Sequence, residues 1–176
     1  PQLVRGWKSG AISCLIGEPT NGLPCIEHTG RIEFTVTVEG VAKHAALAAP
    51  GQNAGLNAVK LLNCLLPQLE EAGVETELGR KATLALTKID AFSGANNIVP
   101  GRCTLIWDRR FVYLENAEEI CRRFEGAVLR SAETAGVRAA VSSRIGLPAS
   151  YTPPSDPVAQ AALEGCGGTN RFRSFG

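Results

Sequence analysis

The sequence has no methionine and only two histidines among its 176 residues, and its six cysteines form no C-x-x-C pair and no zinc-finger spacing. Several of those cysteines lie in apolar runs, where a reduced thiol behaves as a small core residue. That usage points to a reducing compartment, the cytoplasm. Charge of one sign is also lacking: 18 Lys and Arg stand against 17 Asp and Glu, a formal net charge of +1. A nucleic-acid binder normally carries a basic excess or stripe, so that class is disfavoured. No apolar run approaches the roughly 18 to 20 residues of a membrane span; Leu61–Leu66 is interrupted by Asn63 and closed by Pro67. Pro1–Arg5 has none of the layout of a signal peptide. Without an initiator methionine the chain reads as an excised or partial one. What remains, 44% hydrophobic and 20% charged residues with 19 glycines, is the composition of a globular protein with one sizeable core and something smaller beside it.

Along the chain, Ala11–Ile16 is an apolar run closed by Gly17-Glu18-Pro19-Thr20 and reads as a buried strand entering a turn. Residues 21–29 are polar and turn-rich, a crossing between two units. Ile32, Phe34, Val36 and Val38 then alternate with Arg31, Glu33, Thr35, Thr37 and Glu39, which predicts a half-buried strand ended by Gly40. After a small-residue loop, residues 53–72 read as helix, with Asn53 as cap, a stripe of Leu56, Val59, Lys60, Leu62, Asn63 and Leu66, and Pro67 interrupting it or ending it early. Strands are expected over 82–89 and 103–111, joined by a long loop of the kind that often carries function. A second helix over 116–135 places Ile120, Phe124, Ala127, Val128 and Ser131 on one stripe, with Glu118 and Glu119 in its first turn and Gly136 as its stop. A last alternating strand covers 137–145. The order β-α-β-β-α-β predicts an α+β, ferredoxin-like unit: a four-stranded antiparallel sheet with two helices on one face. Residues 146–176 add a proline-rich link, a helix from 155 or 156 to about 163, and a Gly/Arg tail.

Few residues stand out as chemical. Glu18 places a carboxylate just past a strand end, the edge where α/β sheets set ligand groups; the plain alternative is a solvated acid in a turn. His44 follows a strand in a loop of Ala and Gly, where a histidine bonded to backbone is the ordinary outcome. His28 carries no independent signal. Asn97, in Gly94–Pro100, either shapes a turn or presents an amide. Asp108 and Arg110 share one face of a strand, which an ion pair in the sheet would explain.

As an ordered set these segments resemble the M20 family of metallopeptidases and deacylases. Leu15–Thr20 is similar to the family's "GEPT"; His28–Phe34 to its "H-x-G-x-hydrophobic" lead into the dimerisation domain; Gly40–His44 with Gly51–Ala54 to "GxxxH…GxNA"; Asn97–Pro100 to "NVVP"; and Asp108–Arg110 to "D-x-R". The resemblance covers nearly the whole chain. It implies a catalytic α/β domain with two Zn2+ ions (Co2+ or Mn2+ as alternatives) and an inserted ferredoxin-like lid that forms homodimers. On that template residues 1–27 are a remnant of the catalytic domain, 28–146 the lid, and 147–176 the start of the returning catalytic segment.

The resemblance also implies roles. Glu18 resembles a carboxylate ligand of one zinc. His44 resembles the lid histidine that reaches the substrate in the partner's site, exposed, unpaired and far from its own Glu18. Asn97 and Arg110 resemble substrate contacts, Arg110 being structural in some members. The reaction implied is zinc-dependent cleavage of the amide of an N-acyl amino acid or peptide, with dimerisation through the first helix and the edge strand beside it. The family's H-x-D, bridging Asp, Glu-Glu pair and last His have no counterparts in these 176 residues, so the piece alone is expected to be inactive. Leu147 stands near where some members have a carboxylate-gripping arginine, Arg144 being a poor match, and Ala45-Ala46 replaces a common Ser-Ser. The alternatives are a non-catalytic ferredoxin-like dimerisation or regulatory module and an RNA-binding sheet, for which strand 103–111 offers Trp107 and Phe111 but no matching partner strand.

Overall fold

The computed structural model describes residues 13–17, 19–69, 73–167 and 171–175. Its strands are β1 (Cys25–His28), β2 (Gly30–Glu39), β3 (Lys43–His44), β4 (Thr83–Asp90), β5 (Ile98–Val99), β6 (Arg102–Phe111), β7 (Ala139–Leu147), β8 (Ser150–Tyr151) and β9 (Arg173–Phe175). The helices are α1 (Ala54–Leu65), α2 (Ala117–Ala135) and α3 (Pro157–Gly165).

The four long strands form one antiparallel sheet in the order β4-β6-β2-β7. With α1 after β2 and α2 after β6, this is the ferredoxin-like arrangement that the periodicity predicts. Alternation decides the faces. Ile32, Phe34, Val36 and Val38 of β2 and Cys103, Leu105 and Trp107 of β6 are buried beneath the helices. Phe124 of α2 stacks on Phe34 with ring centroids 4.0 Å apart and meets Trp107 edge-on at 5.9 Å. Aromatic pairs of these geometries contribute about 0.5–1.5 kcal/mol beyond the area they bury. The opposite face carries Arg31, Glu33, Asp108, Arg110 and Arg144 and is wet.

Both main helices start and stop where their end residues dictate. Asn53 Oδ1 accepts from the N–H groups of Gly55 (2.9 Å) and Leu56 (3.2 Å), and Asn116 Oδ1 from that of Glu119 (2.9 Å). Gly136 ends α2 in the left-handed region at φ 63°, which a glycine adopts without strain. Pro67 lies in a short 3-10 turn, Leu66–Gln68, directly after α1.

The structure corrects the stripe expected on α1. Its buried residues are Ala54, Asn57, Ala58, Leu61 and Leu65, while Leu56, Val59 and Leu66 are exposed. The helix has two apolar stripes. The one with alanines goes inward, because small side chains let α1 approach β2, β6 and α2 closely. The run expected as a buried strand is coil where described, with Leu15 and Ile16 exposed. Residues 11 and 12, also in that run, lie outside the described residues. Within the expected crossing, β1 is the middle of a separate three-stranded sheet, β8-β1-β9, antiparallel to β8 and parallel to β9.

Candidate functional site

The end of the four-stranded sheet where β2 stops and β6 starts carries two loops laced together by backbone hydrogen bonds. Gly40 N–H donates to Gly101 O (2.9 Å), Val41 N–H to Gln52 O (2.7 Å), Ala45 N–H to Asn97 O (2.8 Å) and Ala54 N–H to Pro100 O (2.9 Å). The two-residue strands β3 and β5 pair Lys43 with Val99 and His44 with Ile98. Asn57, buried in α1, adds side-chain bonds to Glu39 O (3.1 Å) and Gly51 O (2.9 Å).

These contacts give the motif residues physical reasons. A Cβ on Gly40 would lie 2.3 Å from Gln52 O and 2.6 Å from Ala54 N, so only glycine lets the loops close. Gly51 has φ 82°, Asn53 caps α1, and Ala54 is fully buried. Sequence reasoning singled out His44 and Asn97 but missed Gly40, Asn57 and Gly101 as the residues that position them. The signal available was the pair of glycines bounding the loop segments.

His44 and Asn97 are brought together. His44 is exposed, and its ring is held from both sides. Ala46 N–H donates to Nδ1 (3.3 Å), and the Asn97 side-chain amide lies 3.2 Å from Nε2. A neutral imidazole has one donor and one acceptor nitrogen, so an Nδ1 that accepts leaves the proton on Nε2. The Asn97 atom at 3.2 Å is the amide nitrogen Nδ2, a donor, so a neutral ring accepts either at Nδ1 from Ala46 or at Nε2 from Asn97, according to its tautomer. The expectation of an unpaired His44 is thereby corrected: it is exposed, but its partner is the other residue singled out for substrate contact.

Arg110 is not part of this pair. Arg102 lies opposite Glu39 at the His44 end of the sheet, and Arg110 lies opposite Arg31 at the other. From Arg102 to Arg110 the strand covers roughly 26 Å at 3.3 Å per residue. There Asp108 accepts from Arg110 Nε and Arg31 Nε, both at 2.6 Å. Arg31 continues to Glu33 (3.1 Å), and Arg144 approaches Glu33 at 3.9 Å. Partial burial pushes the Asp108 carboxyl up, but the hydrogen bonds and charges of Arg110 and Arg31 outweigh it and hold the group below the usual carboxylate range. On the helix side Arg109 is buried and ion-paired with Glu115, and burial pushes its guanidinium down. His28 Nδ1–H donates to Thr29 O (2.7 Å). Leu147 is exposed at the end of β7.

Glu18 lies outside the described residues. Among the described residues no three or more His, Cys, Asp or Glu side chains group closely enough to hold a metal ion. All six cysteines are free thiols. No helix among the described residues is long and apolar enough to cross a membrane.

Comparison with known proteins adds four findings. The sequence model of the peptidase dimerisation domain, M20_dimer, matches residues 26–134. A succinyl-diaminopimelate desuccinylase of Ruegeria pomeroyi is 30% identical over 156 residues, covering 84% of this chain and 40% of the relative. An uncharacterized metallohydrolase of Methanocaldococcus jannaschii is 30% identical over 103 residues, covering 57% of this chain and 28% of the relative. Among solved structures, a tripeptidase of Staphylococcus aureus superposes with a TM-score of 0.62 at 20% identity, covering 88% of this chain and 40% of that one, which shows the shared fold. The chain spans less than half the length of the curated relatives it matches.

Proposed function

We propose, from the premise that this chain belongs to the M20 family through its peptidase dimerisation domain, that the protein containing it is a homodimeric, metal-dependent amidohydrolase. The residues compared span 26–134 for the domain and most of the chain for the desuccinylase relative. The substrate proposed is an N-acyl amino acid or peptide, and the compartment is the cytoplasm. The bond cleaved is an amide, so charge develops on its carbonyl oxygen in the transition state. A donor held in place beforehand stabilises that charge without reorganising.

The single observation that carries the reading is the His44–Asn97 pair. When Nδ1 accepts from Ala46 N–H the ring carries its proton on Nε2, and the ring is exposed at the end of the sheet. His44 would donate to the oxyanion, and Asn97 would align the ring and contact the substrate. The small sheet β8-β1-β9, attached at the opposite end, is proposed to belong to the catalytic body, with residues 28–146 as the lid. His44 then serves the partner subunit's site, while Arg110, near its own body, takes a substrate carboxylate.

Metal chemistry in such an enzyme polarises the carbonyl and activates water. Zn2+, with Co2+ or Mn2+ as substitutes, is the proposed cofactor, supported by the metallohydrolase relative and by the resemblance around Glu18. Glu18 is the one ligand proposed from this sequence. A zinc site takes three or four, so the 176 residues alone are proposed to be inactive. The test is amine release by the full-length protein from N-succinyl, N-acetyl and dipeptide substrates, with and without chelator. Turnover that the chelator abolishes is expected; no release from any substrate would overturn the proposal.

A further inference from the structure

On the helix side of the sheet, a groove of about 720 Å³ runs beside α2. Helix α2 contributes Ile120, Arg123, Ala127 and Arg130, whose spacings of three and four put them on one face. Leu69, from the segment after α1, and Leu84 of β4 also line it. Leu69, Leu84 and Ile120 are only half-buried against the core, so an apolar body lying there would take their remaining surface from water. Pockets for whole small molecules run to roughly 300–1,000 Å3, so the groove is large enough for one. His44, Asn97 and Arg110 are not among the residues that line it.

Its charge is lopsided. Arg109 is paired with Glu115 and Arg122 with Glu119 (2.6 Å), but Arg123 and Arg130 have no carboxylate partner among the described residues. Burial and the charge of Arg123 both push the Arg109 guanidinium down, a crowding of cations that an anion would relieve. Gly126 adds an independent observation. It lies in the interior of α2, where glycine is less favourable than alanine. A Cβ there would stand 3.0 Å from Arg130 Nη1, so the guanidinium rests on bare backbone. Arg130 therefore reaches back one turn, toward the turn that carries Arg123.

We propose that this groove binds a soluble small molecule in which an apolar body ends in a phosphate monoester, with Arg123 and Arg130 gripping the phosphate. Four arginines face two glutamates among the described lining residues, an excess of two charges. A phosphate monoester carries about −1.5 to −2 at pH 7, which matches that excess where a carboxylate would leave it half met. Planar guanidiniums also meet phosphate oxygens two at a time. The binding does not depend on the amidohydrolase reading.

The test is calorimetric titration of the full-length protein with 1-naphthyl phosphate, 1-naphthol, inorganic phosphate and vesicles of phosphatidic acid. 1-Naphthyl phosphate is expected to bind more tightly than 1-naphthol or inorganic phosphate. Arg123→Gln and Arg130→Gln should each weaken it about tenfold, the scale of one lost charge-assisted hydrogen bond. Arg138→Gln, whose side chain pairs with Glu39 outside the groove, should leave binding unchanged. Gly126→Ala is the sharper check. Its Cβ displaces the Arg130 guanidinium, so binding should fall several-fold while the melting temperature holds or rises, since alanine suits a helix better. Equal binding by wild type, Arg123→Gln and Arg130→Gln would overturn the site, as would an equal loss in Arg138→Gln. Inorganic phosphate binding as tightly as the naphthyl ester would overturn the apolar body, and binding to the vesicles alone would overturn the soluble ligand.

Discussion

At the scale of single residues, position on the sheet decides what a charged group does. Asp108 and Arg110 share a face by strand alternation alone, and the structure adds Arg31 from β2 as the second arm on the same carboxylate. The sheet ion pair that the sequence suggests is therefore present, and the partner it could not reveal comes from the register Arg31↔Arg110. The Asp108 carboxyl is held below its usual range, so it binds a proton less readily folded than unfolded. Its contribution to stability is then complete above the unfolded carboxylate pKa of about 3.9 and is lost as pH falls below that through the folded value. Asp108→Asn should lower stability at pH 7 by about 1 kcal/mol, the scale of a partly exposed pair. The gap between variant and wild type should shrink toward pH 2. Urea midpoints across that range measure it; a gap that is constant with pH would show that the carboxylate is not the source.

At the scale of elements, the long periodic segments were legible and the short ones were not. Strand β2, helix α2 with its Asn116 and Gly136 ends, and the order of the four-stranded sheet follow from alternation, spacing and capping. The strands β1, β3, β5, β8 and β9 span two to four residues each, too short for any period, and their pairing partners lie far away in sequence. Helix α1 was legible in its start at Asn53 but not in its orientation, since both of its stripes are apolar and alanine size chose the buried one. At the site, His44 and Asn97 were legible as residue types, but their mutual contact depends on loops that only backbone bonding defines. Gly40 is where that bonding is most exacting. Gly40→Ala forces a Cβ against Gln52 O and Ala54 N, which should cost about 1–3 kcal/mol of stability. By shifting the His44 loop it should also lower kcat/KM of the full-length protein. Gly165→Ala, with nothing within 4 Å of its new Cβ, should stay within about 0.5 kcal/mol. Denaturant midpoints and steady-state rates together check both; equal effects of the two substitutions would sink the claim that Gly40 closes the loops.

At the scale of the whole molecule, the outward stripe of α1 and the free edge of β4 call for a partner. Leu56, Val59 and Leu66 on the helix and Ile89 and Phe92 at the end of the strand are all more than half exposed. Among the described residues strand β4 pairs only with β6, so its other edge offers backbone groups along Thr83–Asp90 for pairing. A two-fold pairing of β4 with its copy would extend the sheet and cover both helix stripes at once. His44 sits at the end of the sheet away from β8-β1-β9, so dimerisation and catalysis become one prediction. Leu56→Asp with Val59→Asp should convert the full-length protein to a monomer in sedimentation and abolish turnover, although no group proposed to touch substrate has changed. His44→Ala should instead leave the dimer and metal content intact while lowering kcat about a hundredfold or more, the scale of one lost oxyanion donor. Mixing that variant with Glu18→Ala, which lacks the proposed metal ligand, should restore part of the activity. Random reassortment puts both lesions in one site of a mixed dimer and leaves its other site whole. Recovery requires subunit exchange, so the mixture is unfolded and refolded together. No recovery after confirmed exchange would mean that His44 serves its own subunit, and the two-subunit site would have to be abandoned.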